Sequence, residues 1–154
     1  MARELIAVVI VIGLAICATG AGCSCRRSSD AQGQGTQQGT PLAGKPFYRI
    51  DPGPAVPCAS GATCQARLVL TALGSYHVNQ DYPFKFVGEP APAPPVEGDG
   101  AFALDDAKQG TLTVTFRPAA AGTARLVGTF KLSVCNDDTC EIETPRIELA
   151  VPVS

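Results

Sequence analysis

Apolar and polar residues alternate with a period of two through most of the chain after Phe47. The clearest run is residues 111–117, where Leu112, Val114 and Phe116 alternate with polar residues. Such alternation is typical of a β-strand that buries one face, because successive side chains point to opposite sides of a sheet. The same pattern predicts long strands at 124–134 and 147–153 and shorter ones at 68–72, 76–78 and 84–87, and no segment combines a 3.6-residue period with helix caps.

Residues that favour turns separate these runs at short intervals. Clusters of Gly, Pro, Asn, Asp and Ser fall at 51–54, 73–75, 98–100, 121–122 and 136–138. Seven to nine short antiparallel strands in the 110 residues of 45–154 describe an all-β fold, a β-sandwich. The proline-rich stretch 88–95 is expected to be an exposed loop, because proline lacks the N–H group that a central strand needs.

The first part of the chain predicts a targeting segment and a tether. Residues 5–18 form an uncharged apolar run that suits the core of a signal peptide, and Gly20-Ala21-Gly22 precede Cys23. This arrangement resembles a bacterial lipoprotein signal, so we expect a signal peptide at 1–22 and lipidation of Cys23. Residues 23–44 are then a flexible tether, since residues 28–44 have almost no apolar side chains.

An alternative for the leader is an uncleaved anchor helix over residues 5–25, which is just long enough to cross a membrane. Arg26 and Arg27 would then hold the following chain on the cytoplasmic side. That topology would place the downstream cysteine pairs in a reducing compartment, which favours the lipoprotein interpretation and a periplasmic, membrane-anchored location.

Charge and residue counts remove several classes of function. The net charge is −2 with 12 Lys and Arg against 14 Asp and Glu, so no basic surface for nucleic acid is expected. His77 is the single histidine and Met1 the single methionine. We therefore expect no metal site, no cofactor and no Ser-His-Asp constellation, and His77 is expected to pack or to face solvent.

The seven cysteines fall into a leader group and two later pairs. Cys58 and Cys64 bracket a short loop without a nearby acid, base or aromatic cluster, and we expect a structural bridge there. Cys135 and Cys140 bracket the turn sequence Asn-Asp-Asp-Thr, so they can face each other across a hairpin. Strand alternation puts Cys135 on the face opposite the core.

The hairpin pair allows two interpretations. A bridge that closes so short a loop contributes only about 2 kcal/mol in the chain-entropy model, which leaves room for an exchangeable disulfide. Its neighbours Asp137, Asp138, Glu141 and Glu143 disfavour a thiolate by like-charge repulsion. A disulfide in this setting suits attack by a partner's thiolate, and the competing interpretation is a purely structural bridge.

Three stretches resemble the N-terminal periplasmic domain of DsbD-type thiol:disulfide interchange proteins. They are Gly-Ser-Tyr-His-Val-Asn at 74–79 followed by Phe-Lys-Phe at 84–86, the strand at 104–117, and Gly-Thr-Phe-Lys-Leu-Ser-Val-Cys-Asn-Asp-Asp-Thr-Cys at 128–140. The resemblance covers residues 64–154, and the cysteine hairpin is its most specific part.

The resemblance implies an immunoglobulin-like sandwich in which Cys135 and Cys140 exchange electrons with thioredoxin-like periplasmic partners. It places the family's cap loop within 88–103 and makes Phe102 the residue that shields the disulfide. The sequence thus leaves two hypotheses open: a membrane-tethered thiol:disulfide exchange module, or a non-catalytic β-sandwich lipoprotein that binds through its loops and has only structural disulfides.

Overall fold

The computed structural model describes residues 40–154. The predicted signal peptide, the lipidation residue Cys23 and all but the last five residues of the predicted tether lie outside the described residues. Residues 40–154 contain no helix that is long and apolar enough to cross a membrane. They form ten strands: β1 Ala43–Lys45, β2 Tyr48–Pro52, β3 Cys64–Ala72, β4 His77–Val78, β5 Lys85–Gly88, β6 Val96–Leu104, β7 Gln109–Phe116, β8 Gly122–Cys135, β9 Cys140–Glu143 and β10 Arg146–Val153.

The strands form two antiparallel sheets. The first has the order β1-β2-β3-β7-β6, and the second is built on β8, which pairs with β10 and β9 along one edge and with β5 and β4 along the other. The orders β2-β3-β7-β6 and β5-β8-β10 are the A-B-E-D and C-F-G orders of an immunoglobulin constant-type sandwich. The predicted all-β, immunoglobulin-like antiparallel sandwich is confirmed.

The core lies between the two sheets and consists of the residues that alternation predicted. Each sheet contributes the inward-facing side chains of its central strands, all of them fully buried: Leu68, Leu70, Leu112, Val114 and Phe116 from the first sheet, and Leu126, Phe130, Leu132, Val134 and Ile147 from the second. Burial of this many aliphatic and aromatic side chains is the main favourable term for the fold.

The structure differs from the sequence prediction at residues 98–100. These residues were expected to form a turn, but they lie within β6, where the pairing with β7 shifts register between Glu97 and Ala101. Gly98 and Gly100 have φ values of 72° and 82°, which is the left-handed region that glycine enters without steric cost. The glycines therefore form a bulge in an edge strand.

The strand count also exceeds the predicted seven to nine, for a simple reason. β4 and β5 pair one after the other along the same edge of β8, and β9 and β10 do so along its other edge, so each edge counts as two strands. In addition, β1 begins at Ala43, two residues before the expected start of the domain. The proline-rich stretch forms no strand between Gly88 and Val96, as predicted.

An ion pair joins the two sheets at the edge where β1 meets β9. Lys45 Nζ lies 2.5 Å from Glu143 Oε1, and Tyr48, which pairs with Lys45 across β1 and β2, is 2% exposed. Burial, with a smaller contribution from the Glu143 charge, raises the pKa of Tyr48 to about 12. The folded state therefore keeps this phenol protonated at a pH where the unfolded chain has already lost the proton.

Because the pKa of Tyr48 is higher in the folded than in the unfolded state, the free energy of unfolding falls at high pH. The Tyr48 contribution is fully present below pH 10, the unfolded pKa, and is lost as the pH rises toward 12. At pH 11.5 we expect the ionisation of Tyr48 to have lowered the free energy of unfolding of the wild-type protein by about 2 kcal/mol. Urea unfolding should show a smaller loss of unfolding free energy between pH 8 and pH 11.5 for Tyr48→Phe than for the wild type. Equal losses in the two proteins would contradict the role of Tyr48.

Candidate functional site: the Cys135–Cys140 hairpin

Cys135 and Cys140 form a disulfide across the hairpin that joins β8 to β9. The two residues are direct partners in the antiparallel register, and their Cα atoms are 4.0 Å apart. The pairing expected from the turn sequence between them is therefore present in the structure. The register also places both side chains on the same face of the second sheet.

The hairpin loop is held by hydrogen bonds that do not involve sulfur. The Asn136 side-chain oxygen accepts bonds from the backbone N–H groups of Asp138 at 2.9 Å and Thr139 at 2.8 Å. The Asn136 N–H donates to the Thr139 carbonyl at 2.9 Å. An asparagine that bonds to the backbone two and three residues ahead stabilises a turn by itself. The hairpin thus has its own means of keeping the two cysteines opposite each other.

The two bonded cysteines differ in exposure. Cys135 is 6% exposed, whereas Cys140 is exposed. Cys135 alternates with the core residues Leu132 and Val134 and projects from the opposite face of β8, which is the face that alternation predicted. A molecule in solution therefore reaches the bridge from the Cys140 side.

His77 lies in the same row of the sheet as the two cysteines. It pairs directly with Cys135 on the edge of β8 away from β9, so His77, Cys135 and Cys140 stand side by side on three neighbouring strands. Directly opposed residues have Cβ atoms about 4.5–5.5 Å apart and project from one face. His77 is exposed. The single imidazole of the chain is therefore beside the buried end of the disulfide.

The sequence interpretation gave His77 no role. Its position depends on the pairing of β4 with β8, which are far apart in the chain, and alternation cannot reveal such a pairing. The only sequence signal was the short apolar run at 76–78, which predicted a strand without saying which strand it joins.

Hydrogen bonds and an aromatic contact hold β4 in this place. The Val78 N–H donates to the Ala107 carbonyl at 2.9 Å, and the Lys108 ammonium donates to the carbonyls of Gly74 and Tyr76. The Tyr76 ring packs against Phe47, with centroids 5.2 Å apart. The strand that carries His77 is thus joined to both sheets.

The next row of the same face combines a buried serine, which is hydrogen-bonded to Asn79, with an exposed apolar residue. Ser133 is fully buried, and the Asn79 side chain donates to its hydroxyl at 3.3 Å. Ile142, the partner of Ser133 on β9, is 64% exposed. Since Ile142 is two residues after Cys140, it presents an uncovered apolar surface on the same face as the accessible cysteine.

Carboxylates dominate the charge around the hairpin. Asp137 and Asp138 are exposed in its loop. A cleft of about 400 Å³ beside β4 is lined by His77, Asp81, Asp105 and Asp106, among others. An anionic thiolate is disfavoured wherever it lies close to carboxylates, so the effect expected from Asp137, Asp138, Glu141 and Glu143 stays a prediction.

The structure places Phe102, the expected shield, in β6 and not in a loop. Its ring stacks on Phe84 with centroids 3.8 Å apart, and Phe84 lies 6.3 Å from Phe130. A side chain at Gly110 would collide with the Phe102 ring. Phe130 precedes Cys135 by five residues, which is about 16 Å along an extended strand. Phe102 therefore packs beside the middle of β8, whereas His77 is the residue opposite Cys135.

The Cys58–Cys64 bridge is located inside the protein. Cys58 is 7% exposed and Cys64 2% exposed, and both belong to the hydrophobic core. The Cys58 carbonyl accepts a bond from the Ser154 N–H at 2.9 Å, and the Ser60 N–H donates to the Ser154 carbonyl at 2.9 Å. The bridge joins the loop before β3 to the first residue of β3, and the backbone hydrogen bonds of Cys58 and Ser60 attach this loop to Ser154, directly after β10. A dissolved thiol cannot reach the bridge without local opening of the fold.

Comparisons with known proteins give no family for the chain. No protein-family model matches it, and no curated protein matches it significantly. Among solved structures, it is similar to the ASH or PapD-like domain 7 of human CEP192, with 14% identity, a TM-score of 0.32, and coverage of 75% of this chain and 92% of that chain. Within residues 40–154, no group of three or more His, Cys, Asp or Glu side chains is placed to hold a metal ion.

The unequal burial of the two bridges predicts unequal reduction. Under native conditions, dithiothreitol should open Cys135–Cys140 at least ~100-fold faster than Cys58–Cys64, because a local opening that costs about 2.8 kcal/mol slows the reaction of the buried bridge by that factor. Timed alkylation followed by peptide mass spectrometry measures both rates. In a denaturant the two rates should become similar, and equal rates in the native protein would contradict the difference in access.

Proposed function

We propose that this chain is a membrane-tethered, extracytoplasmic thiol:disulfide exchange module that passes electrons through Cys135 and Cys140. The observation that carries the proposal is the bond between an exposed and a buried cysteine in one hairpin. A bridge that only stabilises the fold gains nothing from an accessible end. An exchange site needs one, because the attacking thiolate must reach a disulfide sulfur.

The difference in exposure supports one order of events. A partner's thiolate attacks Cys140 Sγ, the bond between Cys140 and Cys135 breaks, and Cys135 leaves as a thiolate that takes up a proton. The partner's second thiol then attacks the sulfur of the partner's first cysteine in the mixed disulfide. This step releases Cys140 as a thiolate, which is protonated in turn. The partner dithiol is oxidised to a disulfide, and the domain receives two electrons. The reverse sequence delivers them to an acceptor.

The hairpin loop suits both oxidation states. The Asn136 hydrogen bonds and the pairing of β9 with β8 remain available after the sulfur–sulfur bond is broken. The two thiols therefore stay opposite each other, and reoxidation does not require a rearrangement of the chain to bring them together. A reversible carrier needs this property.

The surface beside Cys140 fits a protein partner that has an exposed reactive cysteine. Ile142 offers an apolar contact on the same face, and it is one of few large hydrophobic side chains exposed in residues 40–154. A thioredoxin-like protein is the expected partner, in agreement with the resemblance of residues 64–154 to the N-terminal domain of DsbD-type proteins. The lipoprotein-type leader with Cys23 supports a lipid anchor and a periplasmic location.

The second candidate function is a non-catalytic binding module, and one observation favours it. A groove of about 500 Å³ lies between the proline-rich loop and residues 118–121, away from the disulfide hairpin. Arg146 donates two hydrogen bonds to Glu89, at 2.6 and 3.1 Å, and so ties the start of this loop to β10. In this alternative both disulfides are structural and the groove holds the ligand.

A trapping experiment distinguishes the two functions. The oxidised protein is mixed with a reduced thioredoxin whose resolving cysteine has been replaced by serine, so that a mixed disulfide cannot be released. We expect a covalent adduct that peptide mass spectrometry maps to Cys140, because Cys135 is buried. A thioredoxin lacking both cysteines is the control and should give none.

The reduction potential gives an independent measurement. Equilibration in graded glutathione buffers should give a Cys135–Cys140 potential above roughly −250 mV, the range of exchange proteins. A potential below about −300 mV together with no adduct would reject the exchange function and leave the binding module.

A further inference from the structure

We propose that His77 is the acid–base group of the exchange reaction and that it protonates the thiolate of Cys135 when Cys140 is attacked. This inference rests on the proposed function. The observation that carries it is the row His77, Cys135, Cys140 across β4, β8 and β9, in which the imidazole stands on the side of Cys135 away from the attacking partner.

The geometry gives each member of the row a separate task. Cys140 is exposed and takes the incoming thiolate. Cys135 is 6% exposed and becomes the leaving group. A thiolate released at a buried position loses most of its hydration and must be neutralised locally. His77 is the direct cross-strand neighbour of Cys135 on the opposite side from Cys140, and it can supply the proton.

The charges around this row make such a group necessary. Titratable and charged side chains near His77 come from three segments. Tyr76 and Asp81 flank β4, Asp105 and Asp106 line the same cleft as His77 and precede Lys108, and Cys135 pairs with His77 at the start of the hairpin that carries Asp137 and Asp138. Most of them are carboxylates, which oppose a developing thiolate. The Lys108 ammonium is already engaged by the carbonyls of Gly74 and Tyr76.

The proton balance is complete in both directions. When the domain is reduced, the imidazolium of His77 gives its proton to the Cys135 thiolate and becomes neutral. When the domain is oxidised, neutral His77 accepts the proton of the Cys135 thiol, and the resulting thiolate attacks Cys140 Sγ in the mixed disulfide and expels the partner's thiolate. Histidine suits this exchange because it ordinarily changes charge between pH 5 and 8.

The test compares rates of reduction of Cys135–Cys140 by dithiothreitol in wild-type protein and in His77→Gln, from pH 5.5 to 9. Each rate is divided by the concentration of dithiothreitol thiolate, which removes the pH dependence of the attacking group. At pH 5.5 to 6 we expect His77→Gln to be slower by about tenfold or more, since positioned acid–base groups contribute ~10²–10⁴-fold. Above pH 8 the two rates should converge.

Two further variants separate chemistry from structure. His77→Lys keeps a positive charge at this position, but a lysine ammonium is ordinarily a weaker acid than a cysteine thiol and does not readily give its proton to the Cys135 thiolate. It should therefore stay slower than the wild type at pH 5.5 to 6, and full recovery of the wild-type rate would show that charge alone, and not proton transfer, is the contribution of residue 77. Lys131→Gln removes a cation from the same face of β8 four residues before Cys135, about 13 Å along the strand. It should follow the wild type at every pH.

The possible failures are distinguishable. If the wild type exchanges rapidly and His77→Gln has the same normalised pH profile, the role of His77 is rejected and the exchange function stands. If the native wild-type disulfide is reduced only as the protein unfolds, the exchange function is rejected and the role of His77 with it.

Discussion

The register of β8 is the constraint on which the rest of the structure depends. This strand of 14 residues pairs with four others, and its alternate residues Phe130, Leu132 and Val134 are fully buried in the core. A shift of one residue would move all of them to the outer face and bring Cys135 into the core. The energy of the core therefore fixes the face and the depth at which Cys135 sits. The site is a consequence of the packing that stabilises the sandwich.

The two disulfides differ in how much they constrain the fold. Cys58–Cys64 lies in the core and holds the loop that hydrogen-bonds to Ser154, directly after β10, so its loss would loosen contacts in more than one element. Cys135–Cys140 joins two residues that strand pairing and the Asn136 turn already hold together. A bridge that adds little constraint can be opened at little cost to the fold, which makes the second bridge the better candidate for reversible chemistry.

The sequence predicted what depends on local pattern and failed where pairing is non-local. Strict alternation located β3, β7, β8 and β10, and the turn sequence after Cys135 predicted the hairpin. β6 was missed because Gly98 and Gly100 are typical of a turn, although in this strand they form a bulge. The position of His77 was beyond prediction, because nothing within residues 76–78 indicates that they pair with the end of β8. Whether the hairpin exchanges electrons is a property of access and potential, and no pattern of residues encodes either one directly.

The acidic surroundings of the hairpin restrict the direction in which it can act without assistance. Asp137, Asp138 and the carboxylates of the neighbouring cleft disfavour a thiolate on either cysteine. The oxidised form carries no charge on sulfur and is compatible with these groups, so a disulfide that waits for a partner's thiolate is the state that they favour. The reduced form can attack only if a base removes the proton, and it can form only if an acid neutralises the leaving sulfur. In the proposed exchange, both requirements arise at Cys135, whose cross-strand neighbour is His77, and we infer that this residue meets them.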